Sequence, residues 1–447
     1  MNKLYKNDIK KYYFYIIIRM GDLKIKGISY HERIPIAFKQ SIKYPDKIYI
    51  YNGKGYDYMS KEDYTKDCQK LKYNGKYVFL KRIKLPKTDK LLSLKETYEH
   101  FIRVANNLKA KTNGLINLYK TGQKWNKAAI KLFKFLEKKV FAEKILEDES
   151  EWIRNAMKGP LSWAKEYEGE AYSYDIISRY PSIMMSNHFS VPIKRGKFIT
   201  LTKEEFSELK FYQFGIWRVK INNVDFKLFK LNRENYYTHY DLTRAKELGY
   251  EMELIEDEKP NFLFYDKYSR IQGNKIFKGF VDFLFDLKSK NVEGAKEILN
   301  NLWGTLCEKN IIKKTFSESE GFDIDKYGGS VIGIIPDGEG HQVSYYEKDS
   351  YHSHNWARLG PFLTSLGRKA ISTMIEPHLK YIKRVHTDGF YCSKKIEWEK
   401  AKYRSVCKVK MGDYLGNMKY EGYCDYVKII NSNNIIGKDN KRPKFEI

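Results

Sequence analysis

Two acidic residues in this chain sit where a carboxylate can be held rigidly and presented at an edge. The first, Asp175, ends a tyrosine-rich apolar run in "AYSYDIISRYPSIMM" and is followed by a Ser-Arg-Tyr-Pro-Ser turn. The run reads as a buried strand over 171–175, with the acid at its end. The second, Asp388, lies in "IKRVHTDGFYCSKK", where an Asp-Gly turn signal separates strand-like segments within 382–394. Such a turn lifts Asp388 to a hairpin tip, although Asp-Gly turns are abundant and mostly structural. A third stretch, "KEILNNLWGTL", spaces Lys296, Asn300 and Trp303 at i, i+4 and i+7, which is one face of a helix. Gly304 lets a partner approach that face closely. An ammonium, an amide and a flat ring on one stripe suit a ligand with both phosphates and a planar base.

These residues need a scaffold, and the composition allows a large one. The chain has 447 residues, about three ordinary domains or one large domain with attachments, and 42% of it is apolar. Its 82 Lys+Arg against 56 Asp+Glu give a net charge of +26, which favours a polyanionic partner over solubility alone. The 37 tyrosines and 25 phenylalanines interleave with lysines, a mixture that suits base stacking beside phosphate contacts. Five scattered cysteines without a CxxC argue for a reducing compartment and against a disulfide framework or zinc site. His352 and His354 in "YHSHNW" have no Cys or acid at ligand spacing, so they read as a polar loop. "GKGYDY" has no P-loop after it. The longest apolar run, Tyr12–Ile18, is too short to cross a bilayer, and no secretory signal is visible, so an intracellular protein without a membrane partner is expected.

Along the chain, residues 1–90 alternate short strand-like runs with Gly- and Lys-rich turns. A capping-box pattern at Ser93 and Glu96 opens a helix that stops near Gly114. A second helix, 124–141, carries Lys127, Lys131, Lys134 and Lys138 on one face, a stripe that fits a phosphate backbone or a solvated surface equally well. The acidic "EDESEW" (147–152) marks a boundary between a basic N-terminal domain, 1–150, and a mixed region, 151–430. That region is read as strands at 171–175, 214–221 and 250–255, helices at 276–288, 293–309 and 361–379, and hairpins at 330–348 and 382–394. Two short strands near 425–430 follow, and residues 431–447 are expected to form a flexible tail.

Taken in order, the three stretches resemble motifs A, B and C of family B DNA polymerases. "DIISRYPS" matches "DxxSLYPS", "KEILNNLWG" matches "KxxxNxxYG" and "VHTDGF" matches "YxDTDS". The resemblance covers about residues 150–430 and is nearest to the protein-primed and organellar or viral branch. "WIRNAMKGPL", "ARLGPFLTSLGRKAI" and "LGNMKYEG" agree with it as well. It implies an α+β fold of right-hand architecture: a palm sheet, fingers helices around 276–309 and a small thumb. The implied activity is DNA-directed DNA synthesis on a primer-template from dNTPs, with either an oligonucleotide or a terminal protein as primer. Two magnesium ions, with manganese as a substitute, would be held by Asp175, Asp388 and the Ile176 carbonyl. Such ions clamp the attacking and leaving oxygens about 3.5–4 Å apart. Ser178, Arg179 and Tyr180 would meet the nucleotide, with the Tyr180 ring under the sugar where it collides with a 2′-hydroxyl. Lys288, Lys290 and Lys296 would face the triphosphate, Asn300, Trp303 and Gly304 would flank the nucleotide, and Thr387 and Lys419 would meet the primer.

The chain departs from the pattern at His386, Gly389, Trp303 and Arg179, which replace Asp, Ser, Tyr and Leu. The second acid of motif C, the metal-holding one in the family, survives as Asp388. A lysine-tyrosine primer-gripping motif has no counterpart after residue 430. The first strand is followed by "RMGDLKIKG", with no second acid at the "DxE" spacing of a proofreading exonuclease, so no proofreading is expected. The rival reading is an inactive relative that binds nucleic acid as a scaffold. An RNA-synthesising relative is disfavoured by Tyr180.

Overall fold

The computed structural model describes residues 47–51, 56–60, 70–73, 76–79, 94–137, 140–317, 331–337, 340–347, 350–398, 409–439 and 442–443. The strand-like run at Tyr12–Ile18 and the stretch "RMGDLKIKG" lie outside them, as does Lys138 of the basic stripe. The chain divides into two compact units, Met1–Leu132 with Asp286–Ile298, and Phe133–Phe285 with Leu299–Ile447.

The first unit contains two antiparallel hairpins, Lys47–Tyr51 with Tyr56–Ser60 and Lys70–Tyr73 with Lys76–Phe79. Its long helix, Leu94–Lys111, buries Phe101, Val104, Ala105 and Leu108, which recur at the three- and four-residue steps of one helical face. The next helix, Trp125–Leu136, buries Ala128, Ala129 and Leu132 and leaves Lys127, Lys131 and Lys134 exposed, so the basic stripe faces solvent.

The second unit is organised by a seven-stranded antiparallel sheet. Its strands are β1 (Ser162–Ala164), β2 (Tyr167–Ile176), β3 (Ile382–His386), β4 (Gly389–Cys392), β5 (Met418–Ile429), β6 (Ile435–Asp439) and β7 (Arg442–Pro443), in the order β7-β6-β5-β2-β4-β3-β1. The central strand β2 pairs with β4 in continuous register and with β5 through shifts between Tyr420 and Gly422 and between Cys424 and Val427. Tyr174 is buried with Phe390 and Tyr420 beside it, their ring centroids 5.4 Å away in each case. That face packs on a core that includes Trp163, Ile176, Val385, Met418 and, from the helix α3 (Leu359–Ile375), Ile371 and Ile375.

A second, five-stranded antiparallel sheet fills 197–264, where Trp217 stacks on Phe262 at 3.7 Å between centroids. The helices Asn274–Ser289 and α2 (Ala295–Leu306) follow, near the bounds read from the sequence. The stretch after them holds a third sheet, in which Gly340–Tyr346 pairs with Ile311–Ser317 on one side and Val331–Asp337 on the other. Among the described residues, no helix is long and apolar enough to cross a membrane.

Two expectations need correction. Residues 431–439 do not form a free tail. Asn431 accepts the backbone N–H groups of Asn433 and Asn434 and turns the chain, so that β6 pairs with β5 and Ile435 joins Ala171, Val427 and Ile429 in a buried cluster. The two short strands near 425–430 are accordingly one twelve-residue strand, β5. The boundary expected near residue 150 also falls inside the second unit. The helix Glu147–Ala156 is amphipathic, and its buried Trp152 packs edge-on against Phe198 and Tyr236 at 5.5 and 5.1 Å.

Buried arginines fasten α3. Arg358, at its N-terminus, forms a forked pair with Glu149 at 2.8 and 2.6 Å, and both side chains are 0% exposed. Arg368 holds Asp241 and the carbonyls of Lys158 and Gly159. Arg244 holds Ser372 and Glu376 beyond the helix. Removing one partner of a buried pair strands the other charge, which costs about 3–5 kcal/mol. Arg358→Met is therefore expected to lower unfolding free energy by about that amount in a urea titration. A loss below about 1 kcal/mol would show that Glu149 is satisfied without its arginine.

Candidate active site

Asp175 is the penultimate residue of β2, and the strands on either side bring Gly389 and Lys419 directly opposite it. Cross-strand partners share a face, so Asp175, Gly389 and Lys419 stand together on the side away from the Tyr174 core. Asp388 immediately precedes Gly389. Its carbonyl accepts the Ile176 N–H at 3.2 Å, which ties the turn to the end of β2. The two acids thus come from adjacent strands at one end of the sheet.

The hairpin that carries Asp388 closes over His386–Gly389, the four residues read from the sequence as a turn. His386 pairs with Gly389, so the turn residues are Thr387 and Asp388, and Gly389 belongs to β4. The glycine is required by its partner: a Cβ at 389 would lie 2.9 Å from Asp175 Oδ1 and 3.1 Å from the Tyr174 carbonyl. Thr387 takes the positive φ instead, at 61°. A β-branched residue rarely adopts that conformation, which costs about 1–3 kcal/mol. Its N–H donates to the Leu161 carbonyl at 3.2 Å, which helps to hold the strained turn. His386, beside it, has Nδ1 at 3.5 Å from the Ser162 hydroxyl.

Past Asp175 the chain turns sharply. The Ile177 N–H donates to the Asn417 carbonyl at 3.0 Å, and the Gly416 N–H donates back to the Ile177 carbonyl at 2.8 Å. Ser178 adopts a left-handed conformation, φ 46°, and caps the short helix α1 (Arg179–Met184). Arg179 was expected at a phosphate or in solvent. It is buried instead, and its guanidinium donates to the Gly367 carbonyl of α3 at 3.1 Å. The Tyr180 ring stacks on Trp303 of α2, 4.9 Å between centroids and tilted by 43°. Burial holds the Tyr180 phenol above its ordinary pKa range. The positive charges of Arg179 and Arg368 act against that shift, and the negative charge of Asp388 adds to it.

On α2, Lys296, Asn300 and Gly304 are exposed, while Trp303, the third residue of the i, i+4, i+7 stripe read from the sequence, is half-buried. Among the described residues, no atom beyond its chain neighbours and its own helix backbone lies within 4 Å of where a Gly304 Cβ would sit. Lys288, Lys290 and Lys296 fall in the first compact unit, where Lys290 pairs with Asp286 at 2.8 Å. Lys419 has Glu421 at 3.7 Å. No local pattern marks Gly367, which contacts both Arg179 and Tyr180. The only available cue was a glycine within the apolar stretch "GPFLTSLGR".

The chemistry of this corner is that of a hard-cation site. Two carboxylates are oxygen donors, Ile176 adds a carbonyl at the same strand end, and Gly389 leaves the volume beside Asp175 Oδ1 unfilled. Among the described residues, no group of three or more His, Cys, Asp or Glu side chains is arranged to hold a metal. An ion here would therefore complete its shell with water or ligand oxygens, as magnesium commonly does.

No protein-family model matches this sequence, and no curated protein matches it. Solved structures do. Phi29 DNA polymerase complexed with single-stranded DNA is 16% identical, with a TM-score of 0.53 over 93% of this chain and 77% of that one. The same polymerase with primer-template DNA is 18% identical, with a TM-score of 0.52 over 88% and 70%. Its ternary complex with primer-template DNA and incoming nucleotide substrates is 16% identical, with a TM-score of 0.51 over 89% and 74%. The chain therefore has the fold of these DNA polymerases, across most of its length and in spite of a sequence that has diverged almost completely.

Proposed function

We propose that this protein is a DNA-directed DNA polymerase that extends a primer 3′ end with dNTPs. The observation that carries this reading is the strand register that sets the Asp388 turn beside Asp175, with Tyr180 and Trp303 stacked close by. In this reading the seven-stranded sheet is the palm and the helices Asn274–Ser289 and α2 are the fingers. The phi29 polymerase complexes, with their primer-template DNA and nucleotide, support the same assignment.

Magnesium ions held by Asp175, Asp388 and the Ile176 carbonyl would supply a two-ion clamp on the attacking and leaving oxygens. The protein's own part is positioning. The backbone after Asp175, at Ser178 and Arg179, faces the triphosphate; the Arg179 side chain is committed to α3 and cannot. Lys288, Lys290 and Lys296 provide positive charge for the same group. Tyr180 lies under the sugar, where a 2′-hydroxyl would strike its ring, and Asn300, Trp303 and Gly304 border the base. Thr387 and Lys419, on either side of the acids, are placed for the primer strand. The surplus of 26 positive charges favours the duplex electrostatically and makes binding salt-dependent. We read the chain as lacking proofreading, on the missing "DxE" spacing, and as able to take a protein or an oligonucleotide primer.

In a primer-extension assay with Mg²⁺, Asp175→Asn and Asp388→Asn should each reduce incorporation by at least about 100-fold. Both variants should keep the parent melting temperature, since each removes one of two neighbouring negative charges. Wild-type extension that survives either substitution contradicts the assignment. DNA binding without any extension favours the scaffold reading instead. Tyr180→Ala should raise rNTP incorporation relative to dNTP by roughly 10–200-fold, measured as the ratio of kcat/KM values. An unchanged ratio would remove Tyr180 from the sugar site. Mn²⁺ with a dNTP should raise the melting temperature of the parent protein through ligand linkage. Asp388→Asn should abolish that shift, and a retained shift would place the ion elsewhere.

A further inference from the structure

Gly367, in the middle of α3, is in contact with two consecutive residues of the short helix that follows the first acid. Its carbonyl accepts the Arg179 guanidinium at 3.1 Å. Its Cα faces the Tyr180 ring so closely that a Cβ there would lie 3.2 Å from Tyr180 Cε1 and 3.8 Å from the phenol oxygen. The Tyr180 ring also stacks on Trp303, centroid to centroid 4.9 Å. Tyr180 is thus confined by α3 and by the indole, and the absence of a side chain at 367 sets how far the ring can settle onto the helix.

The helix itself does not yield easily. The next residue, Arg368, is buried in a forked pair with Asp241 and donates to the Lys158 and Gly159 carbonyls. Two residues earlier, Ser365 bonds the buried Thr238 hydroxyl at 2.7 Å. A methyl group added at 367 therefore cannot be absorbed by moving α3 outward. It must be absorbed by the Tyr180 ring, which gives way by a few tenths of an ångström, away from α3.

We propose that Gly367 is a positioning residue for sugar selection: it sets the height of the Tyr180 ring and so the depth of the space left for the ribose. This rests on the polymerase reading and on Tyr180 lying beneath the sugar. Gly367 touches no substrate and acts only through Tyr180. Gly367→Ala raises the ring into the pocket, which narrows the space for a dNTP without removing any catalytic group. The same change improves helix propensity, so the fold does not suffer for it.

The test is single-nucleotide incorporation kinetics for the parent, Gly367→Ala, Tyr180→Ala and the double variant, with thermal melts alongside. Gly367→Ala should raise the dNTP KM about 5- to 10-fold with kcat little changed and the melting temperature equal or higher. In the Tyr180→Ala background the same substitution should change KM less than twofold, because the ring it displaces is gone. If the KM effect is as large without Tyr180 as with it, or if Gly367→Ala leaves KM unchanged in the parent, the inference falls while the polymerase reading stands. If the parent itself incorporates no nucleotide, both fall, and the Asp175→Asn and Asp388→Asn assays identify that outcome independently.

Discussion

The antiparallel register between β2 and β4 is the constraint on which the rest of this structure depends. It sets Gly389 against Asp175 and the Asp388 turn against Ile176. A slip of one residue would turn Asp175 into the Tyr174 core and Tyr174 out of it, since strand side chains alternate with a period of two. The stacked rings of Tyr174 and Phe390 on the buried face therefore fix what stands on the open face. The acids are near each other because apolar side chains elsewhere are packed. Like charges so placed repel, and the apolar core supplies the stability that keeps them together.

A second layer of organisation runs through α3. Arg358 and Arg368 lie along it and Arg244 bonds to Ser372 in its last turns, and each of the three is buried against a carboxylate. Such pairs contribute little net stability compared with apolar packing, but each is costly to break and admits few alternative geometries. They hold α3 at a defined height against the sheet and against α1, where Arg179 and Tyr180 rest on Gly367. Sheet register and helix height together define the corner in which the acids, the tyrosine and the tryptophan meet.

Much of this was legible in the sequence. Asp175 could be found because an apolar strand ends on it, and Asp388 because a turn signal separates two strand-like segments. Both depend on local pattern, which sequence carries directly. The helix that carries Lys296, Asn300 and Trp303 was readable from its spacing for the same reason. The glycine of "DG" was legible only as a turn residue, and its close approach to a neighbour 214 positions away in sequence was not. Arg179 was misread because an arginine after a turn ordinarily faces water. Only the carbonyl of Gly367, on a distant helix, accounts for its burial. Strand β6 was missed because lysine- and asparagine-rich composition masked the isoleucines that pair it to β5. For the turn glycine and for Arg179 the deciding interaction joins residues far apart in the chain, whereas β6 pairs with the strand immediately before it.

The central claim is that Asp175 and Asp388 jointly hold divalent cations at the end of this sheet. Anomalous scattering from crystals grown with Mn²⁺, a dNTP and a primer-template tests it directly. The account predicts manganese peaks about 3.5–4 Å apart, bounded by both carboxylates and the nucleotide phosphates. Manganese bound only at other residues, or contacted by one of the two acids alone, would contradict it.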